Sequence, residues 1–560
     1  MIDGQTVNTI VTKLWPDFLA QLPEILATQD RATGRFGTDP FIVTDQNVLW
    51  PLAVAWATPP TAERPNPYHH DQELLAAIIA GGDALIDVAD EQGRFEFRKK
   101  DNSTWGSIYM PWTYSRWIRA WGLIRDAMPA DRRAAWDSAL TVAVDGIVAT
   151  ALTEPIRNIP AHHAMGVYAA ARVLGRDDWA EAATDYLHRT VAEQDPAGFW
   201  SEHHGPVVAY NVVYVDALGC YFGMSGDRTV LSALERAAAF HANLTYPDGT
   251  LVETVDERNY FRHSQAAPSV GFLASPVGRG YLRWLHGVQW SAGGRVAADT
   301  VASMIMYGQD GPAEEVAAER TEHRFVLGDD DALVERRAPW FACVSAYHGP
   351  QGPNRWIQDR QAHLSVYHDA VGLIISGSNT RLQPAWSTFT VGDPALLAHR
   401  AGDEDPDFSV RPGLDHLPAA ATLRPDELGL DLDYAGVPVG VRLELTEDSA
   451  TVRYRVRGTS ERPVAANAGL VAKPGERWQA GDHGGTLDET PLRLTGADCD
   501  GWFAHRGWRV IMPAEAVITW PVLPHNPYTK DGSAGPDEGR IVITLPLATP
   551  GEARLAIMID

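Results

Sequence analysis

Residues 158–214 hold the densest group of side chains in this chain that could move a proton. The stretch opens with Asn158-Ile-Pro-Ala-His162-His163 and closes with Glu202-His203-His204-Gly-Pro, followed by Tyr210 and Tyr214. An amide, several imidazoles and two phenols suit the removal of a proton from carbon beside a carboxylate. That proton is weakly acidic, so the acid group must be hydrogen-bonded as the enolate forms. A base must then reach the carbon, and an acid must protonate the departing oxygen. Asn and His hold a carboxylate without adding a competing anion. Tyr serves as the acid, and as the base too where nearby cations lower its pKa. The scheme is β-elimination at a uronic acid, and it requires no metal or organic cofactor.

Each of these residues also has a plainer reading. Asn158 stands where an N-cap or turn residue would precede a helix beginning near Pro160, and His162 and His163 fall in that helix's first turn. Tyr210 and Tyr214 are four apart and share a helical face, which also suits an aromatic pair in a core. Downstream, Asp256-Glu257-Arg258-Asn-Tyr260-Phe-Arg262-His263 is dense in polar and aromatic groups on an expected loop. Arg258 or Arg262 would bind a carboxylate bidentately; Tyr260 and His263 would line the same groove. Trp is abundant at 19 residues, with Trp15, Trp50, Trp56, Trp105, Trp112, Trp117 and Trp121 all in the N-terminal part. Most are expected in the core. Trp105, Tyr109 and Trp112 are carried as sugar-stacking candidates, with Lys100 of Arg98-Lys-Lys as a basic contact and Glu202 as a further binding residue.

Periodicity sets the elements that must position these groups. Apolar residues recur at helical spacing in 7–28, 71–90, 113–127, 131–152, 162–175, 178–194, 207–223, 228–242 and 297–306. Paired helices at a period of roughly 45 residues imply stacked hairpins, as a solenoid or an α/α toroid. The long segments 30–70, 92–112 and 243–266 read as loops lining a cleft. After about residue 320 the period becomes 2, as in Val439-Gly-Val-Arg-Leu-Glu-Leu and Arg540-Ile-Val-Ile-Thr-Leu. Gly, Pro, Asp and Asn punctuate these runs, and Asp329-Asp330-Asp331 marks a turn. The expectation is an (α/α) toroid over 1–315, an incomplete barrel of helical hairpins, and an antiparallel β-sandwich of one or two sheet regions over 316–560.

Composition narrows the partners. The formal net charge of −25 argues against nucleic acid and anionic membranes. No unbroken apolar run approaches the roughly 18 residues that span a bilayer. The first residues lack a basic region followed by an apolar core, so a cytoplasmic location is expected, or secretion if a leader has been trimmed. Cys220, Cys343 and Cys499 match no zinc spacing. His363, Tyr367 and Asp369 would share one strand face, with His368 on the other, so a structural zinc or calcium there is weighed as an addition. A Gly-rich phosphate loop, His-Glu-x-x-His and Gly-x-Ser-x-Gly are all missing from the sequence.

The residues and architecture together resemble the chondroitin, hyaluronate, alginate and heparinase II/III-type polysaccharide lyases. Those proteins carry Asn and His on one helix–loop segment. They later carry a Gly-Ser-Phe-x-Gln-His or Glu-Gly-Pro stretch leading to a catalytic Tyr. Gly198-Phe-Trp-Ser-Glu-His-His204-Gly-Pro, followed by Tyr210 and Tyr214, is similar to both versions. The resemblance implies Asn158 with His162 or His163 as carboxylate neutralisers, Tyr210 or Tyr214 as acid and base, and His204 as an alternative base. Arg258 or Arg262 matches a following Arg. The expected substrate is an acidic polysaccharide or oligosaccharide, and the expected assembly a monomer or homodimer. The competing reading is a glycoside hydrolase on an α/α toroid, using paired carboxylates among Glu202, Asp256 and Glu257.

Overall fold

The structure, a computed structural model, describes residues 8–202, 204–256, 264–291, 293–349, 362–376, 383–396 and 412–560. Helices occupy the first part: α1 Asn8–Leu26, α2 Leu49–Ala57, α3 Gln72–Val88, α4 Pro111–Ile124, α5 Ala130–Ala149, α6 Asn158–Leu174, α7 Asp177–Ala192, α8 Val208–Ser225, α9 Leu231–Asn243, α10 Pro276–Leu285 and α11 Ala298–Tyr307. Compactness divides the chain into two interleaved units. One comprises 1–200, 210–242 and 267–316; the other comprises 201–209, 243–266 and 317–560.

The helical unit is built as an α/α toroid. Helices α2, α4 and α6 pack in succession, and α3, α5 and α7 pack behind them. Helix α11 packs on both α1 and α2, so the last helix of the unit meets the first. Its interior is heavily aromatic: Trp15, Trp50, Trp117, Trp121, Trp136 and Trp179 are fully buried. Burying such rings contributes the largest single favourable terms to folding. Of the seven tryptophans noted in the N-terminal part, five are core and Trp105 and Trp112 are half-buried. The segment Ala130–Thr153 has the length and hydropathy to cross a bilayer. Counting unbroken apolar runs overlooks it, because Asp137 and Asp145 interrupt the run. In the fold its α5 portion packs on α3, α6 and α7 and buries Trp136, Leu140, Val144 and Ile147.

In the other unit every strand pairing is antiparallel, within an eleven-stranded and a nine-stranded sheet among the described residues. Strand Ser449–Val456 alternates buried and less buried positions along its length, the period-2 pattern of a sheet with one face in a core. Leu364, Phe389 and Ile543 of one sheet and Val441, Val452 and Val510 of the other belong to one hydrophobic core, the arrangement of a sandwich. Asp329-Asp330-Asp331 forms the turn between strands Glu322–Leu327 and Ala332–Arg337, with Asp330 in the left-handed region at φ 62°.

Candidate functional site

Helix α6 begins at Asn158, two residues before the expected start. His162 and His163 therefore stand in its second turn, and Asn158 and His162 lie one turn apart on one face. Asn158 is half-buried, at the end where backbone N–H groups have no intrahelical partner and the helix dipole is positive. His163 is buried, and its Nε2 donates to the carbonyl oxygen of Tyr109 at 3.1 Å. This bond ties the start of α6 to the segment entering α4. Burial holds the His163 pKa down at about 3, so the ring is neutral.

His162 is 2% exposed. Its ring meets Trp112 of α4 edge-on at 4.6 Å, and its Nε2 lies 3.5 Å from Asp216 Oδ2 of α8. Burial lowers the His162 pKa, against the pull of Asp216. Burial would raise the Asp216 carboxyl, but His162 and the Arg119 and Arg116 guanidiniums hold it below its ordinary value. The pair is therefore a carboxylate beside a neutral imidazole. A cavity of about 160 Å³ opens here, lined by Trp112 and Arg116 of α4, His162 of α6, Val212, Val213 and Asp216 of α8, and Asp299 of α11. The N-terminal halves of four helices converge on it. Arg116 donates from Nε to Asp299 Oδ2 at 2.7 Å and from Nη1 to the carbonyl of Trp112. Arg119 lies beneath, buried, over the Trp50 ring at 4.4 Å and bonded to Ser303.

The other side of α8 carries the phenols. Val212, Val213 and Asp216 face the cavity, and at 100° per residue Tyr210 and Tyr214 fall on a different face. Tyr214 is 1% exposed and stacks on Trp200 with ring centroids 4.8 Å apart. Tyr210 is half-buried. The turn before Trp200 needs Gly198, at φ 97°, where a Cβ would stand 2.2 Å from the Arg236 carbonyl oxygen. Asn211 Oδ1 then accepts from the Trp200 N–H, and its Nδ2 meets His241 Nε2 at 3.2 Å.

Other expected site residues are placed as follows. Lys100 Nζ donates to Asp45 Oδ2 at 2.6 Å and to the Thr38 and Pro40 carbonyls. Arg98 pairs with Glu96. Trp105 lies on strand Thr104–Ile108 under the Lys99 ammonium. In the β unit, Glu202 is 9% exposed and His204 is exposed. His204 lines a cavity of about 890 Å³ with Asp329, Asp330, Asp331, Asp426 and Glu427. Asp256 Oδ1 accepts the backbone N–H of Val208, the first residue of α8, at 2.7 Å, so it caps that helix. His363 has both nitrogens within hydrogen-bond distance of protein oxygens, those of Thr388 and Ser376. Tyr367 stacks on Tyr246, His368 packs against Trp340, and Asp369 pairs with Arg336. No group of three or more His, Cys, Asp or Glu among the described residues is placed to hold a metal. All three cysteines are buried and form no disulfide. His203, Glu257, Arg258, Tyr260, Arg262 and His263 lie outside the described residues.

Of the expected residues, the cavity thus gathers His162 and Trp112, while Asn158, His163, Tyr210 and Tyr214 do not line it. It also gathers Asp216, Arg116 and Asp299, none of which sequence reasoning singled out. Asp216 had a signal: it is the only charged residue in the apolar helix Val208–Ser225. Arg116 and Asp299 are 183 residues apart, and nothing local marks them as partners.

Set against solved structures, the chain has the fold of polysaccharide lyases. Streptomyces coelicolor A3 chondroitin AC lyase in complex with chondroitin sulphate aligns at TM-score 0.56 and 16% identity, over 98% of this chain and 79% of that one. Paenibacillus xanthan lyase aligns at 0.57 and 13%, over 97% and 57%. A chondroitinase AC lyase solved with bound oligosaccharides aligns at 0.54 and 10%, over 98% and 82%. No protein-family model and no curated protein matches the chain.

Proposed function

We propose that the protein is a lyase that cleaves a uronate-containing polysaccharide or oligosaccharide by β-elimination. The observation that carries this reading is the half-buried Asn158 amide in the first turn of α6, at the positive end of that helix. Such a donor strengthens its hold as a carboxylate becomes an enolate. The fold likeness to the chondroitin AC and xanthan lyases supports the reading by analogy. In the proposed reaction the C5–H bond breaks and its electron pair is held in the enolate. The enolate then collapses to C4=C5 as the C4–O bond breaks, and the departing oxygen, which leaves with that bond's electron pair, takes a proton. We assign the proton transfers to a phenol of α8, with Tyr210 the half-exposed candidate and Tyr214 the buried one. His163, committed to the Tyr109 carbonyl, serves as a joint.

The hydrolase reading loses ground at Asp256, whose carboxylate is engaged in capping α8. The test is a screen of uronate glycans and their oligomers, read by ultraviolet absorbance with mass spectrometry of the products. Each cut should yield one unsaturated, absorbing chain end. Cleavage to products carrying an added water and no chromophore would overturn the proposal.

A further inference from the structure

We propose that the cavity between α4, α6, α8 and α11 is a subsite for one uncharged sugar ring, and that Asp216 is a specificity residue that rejects an anionic ring there. This rests on the reading of the protein as a glycan lyase.

The cavity is far larger than the roughly 10–15 Å³ needed by one water, and its lining sets the Asp216 carboxylate beside the Arg116–Asp299 ion pair. Among the described residues Asp216 meets His162 Nε2, at 3.5 Å. The proton between them sits on the imidazole, which leaves His162 Nδ1 as a bare acceptor. That atom is buried and has no hydrogen-bond partner. The Asp216 carboxylate, which lines the cavity and is 24% exposed, thus offers open acceptor positions to whatever enters. Hydroxyl groups are the neutral donors that match, and a carboxylate can accept two neighbouring ones at once. The half-buried Trp112 ring supplies an apolar wall for the C–H face of a ring.

Charge selects among ligands that donate. Asp216 opposes a carboxylate or sulfate, while the Asp299 charge is already matched by Arg116. The guanidiniums of Arg116 and Arg119 and the four positive helix ends oppose an ammonium group. A neutral polyol meets no net repulsion. Asn158 stands one helical turn, about 5 Å, from His162 on the same face of α6. The proposed uronate contact and the proposed neutral pocket are therefore about one sugar apart.

The test uses the full chain and needs no turnover. Glucose, galactose, N-acetylglucosamine, N-acetylgalactosamine, glucuronate and N-acetylgalactosamine 6-sulfate are titrated by saturation-transfer NMR and tryptophan fluorescence. At least one neutral sugar should bind in the millimolar range or tighter and N-acetylgalactosamine 6-sulfate should not; glucuronate, whose proposed contact is Asn158, should be indifferent to Asp216→Asn. Asp216→Asn should weaken the neutral sugar by about tenfold or more and narrow the gap to the sulfated one. Val213→Phe, which fills the cavity from an apolar lining position, should abolish binding; thermal unfolding of both variants confirms that they are folded. Equal binding of N-acetylgalactosamine and its 6-sulfate, no binding of any neutral sugar, or indifference of neutral-sugar binding to both substitutions would overturn the proposal. Neutral sugar binding that depends on Asp216, with no unsaturated product from any glycan, would instead uphold the subsite and remove the lyase.

Discussion

Acid should unfold the helical unit through histidines held neutral in its interior, and His163 provides the cleanest measurement. Its ring is 4% exposed, bonded to the Tyr109 carbonyl, and its pKa falls from 6.5 to about 3 on burial. A histidine whose folded pKa lies below its unfolded value takes up its proton on unfolding. Its contribution is complete above about pH 6.5 and is lost as the pH falls toward 3. At pH 4.5 the unfolded ring lies about two units below its pKa while the folded ring is still neutral. At about 1.4 kcal/mol per unit, the loss relative to pH 7 is about 2.7 kcal/mol. His241, also buried and held at about 3, adds a term of similar size. Together they are comparable with the lower end of the whole stability of a domain, about 5 kcal/mol. Urea unfolding followed by tryptophan fluorescence at pH 7 and 4.5 reads these losses directly. His163→Gln removes the titration and retains an N–H donor. Its stability at pH 7 should fall, but its further loss on going to pH 4.5 should be smaller than the wild type's by about 2.7 kcal/mol. Parallel losses in the two proteins would refute the assignment of a buried neutral ring.

The remaining predictions concern the site and its supports. Asn158→Ala should lower kcat/KM on a cleaved uronate glycan by about 100-fold or more with an unchanged unfolding midpoint; an equal loss on a substrate whose uronate is esterified would argue against a carboxylate contact. Tyr210→Phe and Tyr214→Phe, assayed separately, should differ. The one that supplies the proton loses about 100-fold or more, and retained activity in both would remove the phenol from the mechanism. Asp256→Ala should cost about 1 kcal/mol through the lost cap on α8, measured by urea unfolding, and should spare cleavage far more than the phenol variant does. Gly198→Ala places a methyl 2.2 Å from the Arg236 carbonyl oxygen at a φ of 97°. It should destabilise by about 1–3 kcal/mol, visible as a lower melting temperature.

Periodicity revealed nine of the eleven α-helices among the described residues, and the two it missed fail for identifiable reasons. Helix α2, Leu-Trp-Pro-Leu-Ala-Val-Ala-Trp-Ala, is apolar on every side because neighbours surround it, and all but its last residue is buried. A helix without a polar face has no 3.6-residue stripe to detect. Helix α10 begins with Pro276 and carries Gly278 and Gly280, residues that ordinarily signal a turn. Gly280 is there because Glu314 passes closely: a Cβ would lie 1.9 Å from its carbonyl oxygen. The sheet strands were easier, because runs such as Val439-Gly-Val-Arg-Leu-Glu-Leu place alternate residues in one core. The site was legible only in part. Asn158, His162 and Trp112 stand out by type and neighbourhood. Asp216 and Arg116 acquire meaning only when α4, α6, α8 and α11 converge.

An acidic chain that takes an acidic glycan, as proposed, faces repulsion, and the sequence offers two basic patches against it, Arg98-Lys99-Lys100 and Arg258 with Arg262. In the first, Arg98 holds Glu96, Lys99 lies over the Trp105 ring, and Lys100 holds Asp45 and two carbonyls; Arg258 and Arg262 lie outside the described residues. The fold supplies a different positive element. The N-terminal halves of α4, α6, α8 and α11 gather at one cavity, and helix dipoles act within about a turn of each helix end. Such a field does not depend on the net charge of −25, because distant carboxylates are screened by salt over about 8–10 Å. Close by, Asp216 offsets that field in the cavity, while Asn158, one turn nearer the end of α6, remains at a positive terminus. Successive turns of one helix can therefore prefer different rings of a single glycan, an anionic one at Asn158 and a neutral one at His162. An alternating uronate and uncharged sugar is the repeat that satisfies both.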